Sequence, residues 1–549
     1  MKKLIIFVLL IILPIGCAAQ TGPDWTDIKG APLIDARLHG MKTTATGAVN
    51  KAAIESALAL GNVLLPPDGT YTIDNTTPIS VATAGRIIMG RSNAILQVAT
   101  QTQNCFLVTA DDVTFENVSF AGAGGIYRGQ EYRNTGDRPG FIKGTAVDNL
   151  TITKCSFDDP AITSVLFYGV TNSRISDCQF TSVATFSVSD DPTPGDYLGT
   201  LCHILLYGAA NCRVSGNSIS GNIGGIQANG NTSVETTLAD GQGASEFTRQ
   251  NVICDNTIFS GVTNCIYFSS INRDNIFRNN TMRSTLNETM HSIGNGAIIV
   301  GNNMRSDNAS GVVTIRGSSD VVFSENIVES AATGSTGLYC YTSSSYPDPL
   351  HNLHISNNVF RHDSTGVNSG PAIKMYSFQI QATAPLVASA PARFMDISIV
   401  GNTLSNWGGS NTSGGTYEGI IDINQGYNET AGELVPRGLV IASNRIRGVY
   451  GSGYGVAGIR IQGGFFGCTI TGNTIDGIGG GAAGAYYGMY LQCLSSSTIS
   501  NNLIILAAIA GNNTYGISEA LPLAYGAGTI GTVVATGTGN IYTSNNIFG

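Results

Sequence analysis

The chain has 549 residues, with 28 Lys and Arg against 37 Asp and Glu for a net charge of −9, and 42% of it is apolar. Such a length exceeds one compact core and points to several domains or a repeat array. Only 12% of residues are charged, against roughly 25% in ordinary globular proteins; this excludes a charged, disordered chain, and without a basic run no nucleic-acid partner is expected.

The chain opens on "MKKLIIFVLLIILPIGCAAQ", a basic start, an apolar run from Leu4 to Ile15, and small residues. This reads as a secretory signal over residues 1–19, too short for a membrane span. Cleavage after Ala19 predicts a secreted, periplasmic or cell-surface protein of a bacterium. The Gly16-Cys17 pair offers the alternative of a lipoprotein anchored through Cys17.

Residues 20–100 read as an N-terminal cap segment. Within it "NKAAIESALAL", 50–60, places Ala53, Ile54, Ala57 and Leu58 on one helical face, with Asn50 as the expected cap residue. The stretch "NVLLPPDGTYTID" that follows reads as strand, turn, strand. A solenoid end exposes apolar interior and strand edges, and this helix is a suitable lid for it.

From 101 to 549 a short phrase recurs: "VSGNSISG", "ICDNTIFSG", "ISNNVF", "IVGNTLSN", "TITGNTIDG", "TISNNLI". Aligned on its Asn, it gives Asn117, Asn217, Asn256, Asn280, Asn303, Asn326, Asn358, Asn402, Asn444, Asn473, Asn502 and Asn546, with Cys155 and Cys178 filling two places. Short β runs at this period, without helices, signal a stacked solenoid. Each unit reads as three strands, for example "VVFSE" (321–325), "IVES" (327–330) and "GLYCYT" (337–342). The Asn sits at a corner, where it tolerates left-handed backbone and stacks into a ladder of amides. The predicted fold is all-β, a single-stranded right-handed parallel β-helix with a short N-terminal capping helix.

The 11 Cys form no CxxC pair and no tight cluster with His, so they read as small buried hydrophobes. Cys155 and Cys178 are the expected neighbours, stacked without a bond. The chain stops at "NIYTSNNIFG" within another strand pair, and the apolar segments of 503–535 are candidates to fold over that end. A monomer is expected, and a homotrimer in which like subunits cover the end is the alternative.

"DARLHGMK", then the helix, then "LLPPDGTYTI" resembles the opening segment of pectate-lyase-like β-helix proteins, including phage tailspikes. It departs from them where Gly47-Ala48-Val49-Asn50 replaces an acidic and Thr-rich run, and where Asp68 is an extra residue. The NTD, DD and GHG blocks of polygalacturonases do not occur in series. The resemblance implies a superfamily fold and a polysaccharide lying along the sheet built from the third strand of each unit.

Strand alternation predicts which residues face outward there. The strip runs through Tyr267, His291, Arg316, Tyr339, Tyr341, Lys374, Tyr376, Asp422, Asn424, Arg460, Gln462 and Tyr490. Tyrosines suit stacking on sugar rings, and the bases suit an acidic polymer. A lyase or epimerase acting on a uronic-acid polymer needs a base for the proton beside the carboxylate, and cations to neutralise that carboxylate. The expected catalytic set is therefore Lys374, Tyr341, Arg316, His291 and Asp422. Lys374 or Tyr341 acts as base, Arg316 and Arg460 hold the uronate, and Asp422 orients Lys374 or helps hold a Ca²⁺ ion. Tyr339, Tyr376, Tyr267, Asn424, Gln462 and Tyr490 complete the substrate-binding strip. Two alternatives stand beside this reading. One is a glycoside hydrolase recruiting a second carboxylate from Glu288, Glu418, Asp190, Asp191 or Asp196; the other is a non-catalytic, tailspike-like glycan binder.

Overall fold

The computed structural model describes residues 31–548, except 92, 101–102, 123–139, 161–162, 184–201, 230–247, 262, 269–271, 292–293, 310, 343–349, 364–369, 378–393, 409–417, 426–436, 452–455, 463–464, 481–484, 493, 507–512 and 521–539. The expected secretory signal with Cys17, the carboxylates Asp190, Asp191 and Asp196, the Glu418 side chain and much of 503–535 therefore lie outside the described residues. Among those described, no helix is long and apolar enough to cross a membrane.

The winding follows from one repeated local event. In the unit around Asn326, strand Val321–Ser324 ends, Glu325 takes a left-handed conformation (φ 57°), and strand Ile327–Ser330 leaves in a new direction. Strand Leu338–Thr342 completes the turn. Equivalent left-handed residues precede the corner throughout, for example Asp255, Asn279, Gly301, Asn357 and Gly401, residue types that tolerate positive φ.

The left-handed residue and the stacking amide are thus neighbours, not one residue. The ladder members point inward and are buried: Asn217, Asn256, Asn280, Asn302, Asn326, Asn358, Asn402, Asn444, Asn473 and Asn502. In each link an amide nitrogen donates to the Oδ1 of the next rung, at 3.0 Å from Asn256 to Asn280 and 2.9 Å from Asn280 to Asn302. Two expected members shift by one place. Asn302 and Asn545 carry the bonds, while Asn303 opens the following strand with its side chain outward. Asn117 is a left-handed corner residue (φ 55°), and buried Val118 holds the ladder position beside it. In an Asn-Asn pair, only the residue two before the next inward apolar side chain faces the interior.

Stacked units form three parallel sheets of 17, 16 and 15 strands among the described residues, so the chain is a single-stranded parallel β-helix; crossovers between parallel strands are right-handed as a rule. Sequential strands of one sheet come from successive rungs, which sit ~4.8 Å apart. The first sheet contains the strands before the corner Asn, the second those after it, and the third the last strand of each rung.

Inward residues stack on themselves from rung to rung. Phe120, Phe157 and Phe180 are in register, with ring centroids 5.1 and 4.8 Å apart and planes nearly parallel. Cys155 and Cys178 also stack, the Cys155 N–H donating to Cys178 Sγ at 3.4 Å, and both thiols are free.

The helix α1 (Gly47–Leu60) starts earlier than expected because Thr46, not Asn50, is its N-cap, accepting from the Val49 N–H at 3.4 Å. Asn50 lies inside the helix, buried, with its amide donating to Thr72 O and accepting from the Lys42 N–H. Ala53, Ile54, Ala57 and Leu58 are the buried face. They cover strands Asn62–Leu64, Gly69–Ile73 and Ile79–Val81, which are early strands of the three sheets.

Candidate functional site

Parallel pairing on the third sheet brings residues far apart in the chain into two outward columns. In one, Gln227 pairs with Tyr267 and Tyr267 with His291; Met290 pairs with Val313, which sets His291 beside Thr314. The column continues through Tyr339, Lys374, Asp422, Arg460 and Tyr490, each in register with the next. In the other, Arg316, Tyr341, Tyr376, Asn424 and Gln462 follow one another. All twelve residues singled out from the sequence lie on this one face.

The face divides into two groups. Around Arg316, the guanidinium sits 5.2 Å from the Tyr341 ring centroid, and Tyr341 stacks on Tyr339 at 4.8 Å. Burial of Tyr339, reinforced by Tyr341 and Tyr376, pushes its hydroxyl up to about 12, so it donates hydrogen bonds and is not a base at neutral pH. The Tyr267 and His291 rings are stacked, centroids 5.2 Å apart and planes 9° from parallel.

Alternation along the third strand alone does not reveal that Glu288 joins this group. His291 Nδ1 hydrogen-bonds Glu288 Oε2, and Glu288 Oε1 accepts from Thr314 Oγ1 at 3.0 Å. Both side chains are largely buried, 11% exposed for His291 and 12% for Glu288. Burial raises the Glu288 pKa, yet the His291 hydrogen bond and charge, the Thr314 hydroxyl and the Arg316 charge outweigh it, so the carboxyl lies below its ordinary value. An ionised carboxylate on Nδ1 fixes the tautomer that leaves Nε2 as proton acceptor. Beside this pair, Cys202, Gly224, Gly225, Ile226, Gln227, Thr263, Asn264 and Tyr267 line a small open recess of about 10 Å³, room for about one water molecule.

The second group is built around an ion pair. Arg460 Nε lies 3.3 Å from Asp422 Oδ1, and Arg460 Nη2 donates to Gln462 Oε1 at 2.6 Å. Arg460 and Asp422 are 5% and 2% exposed, so the ion pair is buried, while Lys374, Tyr376, Asn424 and Tyr490 are half-buried around it. His291 and Asp422 are four rungs apart in one column, roughly 19 Å. Glycosidases hold their two carboxyl groups roughly 5–10 Å apart, so Glu288 and Asp422 do not form such a pair. Among the described residues, no group of three His, Cys, Asp or Glu is placed to hold a metal ion.

No protein-family model and no curated protein sequence matches the chain. Among solved structures it is similar to a periplasmic alginate epimerase, at 14% identity over 64% of this chain and 71% of that one, TM-score 0.36. It is also similar to a tailspike protein of an E. coli bacteriophage, at 12% identity over 87% and 75%, TM-score 0.42. A third is an exopolygalacturonase of Yersinia enterocolitica, at 10% identity over 89% and 78%, TM-score 0.36. The parallel β-helix assignment itself stands on the strand pairing described above.

Proposed function

We propose that the chain is an exported polysaccharide lyase that cleaves a uronic-acid polymer by β-elimination. The observation that carries this reading is the ionised Glu288 bonded to His291, one rung from Arg316. Elimination begins with removal of the proton on C5, next to the sugar carboxylate. That proton becomes acidic only when the charge building on the carboxylate is neutralised. His291 Nε2 is the base, Glu288 its positioning residue, and Arg316 the cation that receives the uronate. The sequence favoured Lys374 or Tyr341 as base; the carboxylate behind His291 moves that role to the imidazole. Tyr376 and the side of Tyr339 away from Tyr341 offer ring faces to sugars lying along the coil axis.

Asp422 and Arg460 hold each other, so their part is to shape the far end of the strip beside Lys374, Asn424, Gln462 and Tyr490. The uronate charge falls to Arg316, and turnover is expected to survive a chelator. The test is incubation with a panel of uronate polymers, following the absorbance of the 4,5-unsaturated product, with and without EDTA. Product whose formation is abolished by His291→Ala is the expected result. A full panel without the chromophore overturns the lyase; new reducing ends without it support a hydrolase, and binding without either supports the non-catalytic reading.

A further inference from the structure

Resting on the lyase reading, we infer that elimination is syn, with Tyr267 as the acid, so that the substrate is a 4-linked uronate whose C5 hydrogen and C4 oxygen are cis. Tyr267 and His291 occupy adjacent rungs of one column, and their rings are parallel at 5.2 Å. They rise from the same face of the same sheet. A sugar lying on that face meets the imidazole and the phenol from one side. C5–H and C4–O belong to neighbouring carbons, so base and acid must stand about one rung apart, as these two do. Tyr341 does not meet this condition: it stands two rungs from His291, roughly 10 Å away, and its ring faces Arg316.

The step balances without a co-reactant. His291 Nε2 takes the C5 proton, and the C–H electron pair becomes the C4=C5 double bond. The C4–O bond breaks, and the glycosidic oxygen leaves with the preceding sugar, taking the Tyr267 proton to become its new anomeric hydroxyl. The imidazolium and phenolate left behind form a neutral pair. Proton return from one to the other, through a solvent molecule, resets the site. The geometry also orients the polymer. The carboxylate lies toward Arg316, so the departing sugar lies over the face toward Gln227, on the N-terminal side.

Cis geometry belongs to D-mannuronate and D-glucuronate, trans geometry to L-guluronate and D-galacturonate. The full chain is therefore given four separate 4-linked polymers: polymannuronate, polyglucuronate, polyguluronate and polygalacturonate. The expected result is unsaturated product from at least one cis polymer at a rate at least about tenfold above either trans polymer. Equal or faster turnover of a trans polymer overturns the syn assignment and leaves the lyase standing. No product from any of the four overturns the lyase and this inference together. On the preferred polymer, Tyr267→Phe keeps the ring stacked on His291, and its kcat is expected to fall at least about a hundredfold, the usual weight of a positioned acid, with KM within about threefold. A kcat within threefold of wild type removes Tyr267 from the reaction.

Discussion

Glu288 shows how much chemistry one side chain acquires from a neighbouring rung. Its carboxylate is held ionised despite burial because His291, Thr314 and Arg316 surround it. Glu288→Gln keeps the shape and a hydrogen-bonding end but removes the charge. The expected outcome is a fall in kcat of about 10- to 100-fold with KM little changed, since the amide no longer stabilises the imidazolium that forms as C5 loses its proton. A stability consequence accompanies it. The folded pKa is below the ordinary value of 4.5, so the carboxylate contributes stability that is full above that value and is lost as pH falls through the folded one. Melting curves from pH 6 down to pH 3 should therefore show a smaller acid-induced drop for Glu288→Gln than for wild type. A variant that loses KM and melting temperature at neutral pH, with kcat intact, would show that Glu288 only braces the fold. Glu288 escaped direct assignment to the site because it precedes a strand of two residues, Met290–His291, where alternation has too few positions to register. Its contact with Thr314 also spans a rung, a relation that local sequence does not state.

The asparagine ladder is where the sequence is most legible and where its limits are clearest. The phrase fixes the corner, the order of the sheets and the approximate period. It does not say which residue of an Asn-Asn pair turns inward; that is decided by the next inward apolar residue, buried Met304 after Asn302, and Ile547, in register with buried Ile504, after Asn545. The inward amide is heavily committed. Asn326 Oδ1 accepts from both the backbone N–H and the amide of Asn302, each at 3.0 Å. Its own amide nitrogen donates to Ile299 O at 2.9 Å and to Asn358 Oδ1 at 3.0 Å. Asn326→Ala removes these bonds and leaves buried donors and acceptors unpaired, at a cost of about 3 kcal/mol. Urea denaturation followed by circular dichroism should show this loss, with amides of the adjoining rungs exchanging fastest. A change below about 1 kcal/mol would mean that main-chain pairing alone holds the corner. On the third sheet, alternation placed all twelve strip residues on one face because period-2 patterning reports orientation. The burial of the Asp422–Arg460 pair was not legible, since exposure depends on what lies above a sheet and not on which way its strands alternate.

At the scale of the molecule, a coil of stacked rungs behaves as a nearly one-dimensional object in which each rung touches chiefly its neighbours. Its vulnerable places are its ends, and the N-terminal end has a lid. Ile54, fully buried on α1, packs the helix over the first strands of the coil. Ile54→Asp sets a carboxylate without a partner into that apolar contact, a cost of several kcal/mol, and the helix should detach. Strand edges that it covered then become templates for pairing with another chain. The candidate site is far from this damage: from Ile79–Val81 to Met290–His291 the third sheet climbs seven strand steps, roughly 34 Å. Two effects should therefore separate. Light scattering should show a mass that rises with protein concentration in Ile54→Asp and not in wild type. Hydrogen exchange should show protection lost over residues 62–121 while the rungs carrying Asn280, Asn302 and Asn326 keep theirs. Loss of protection along the whole coil at once would mean that the rungs fold as a single cooperative block, and the nearest-neighbour account of this solenoid would fall.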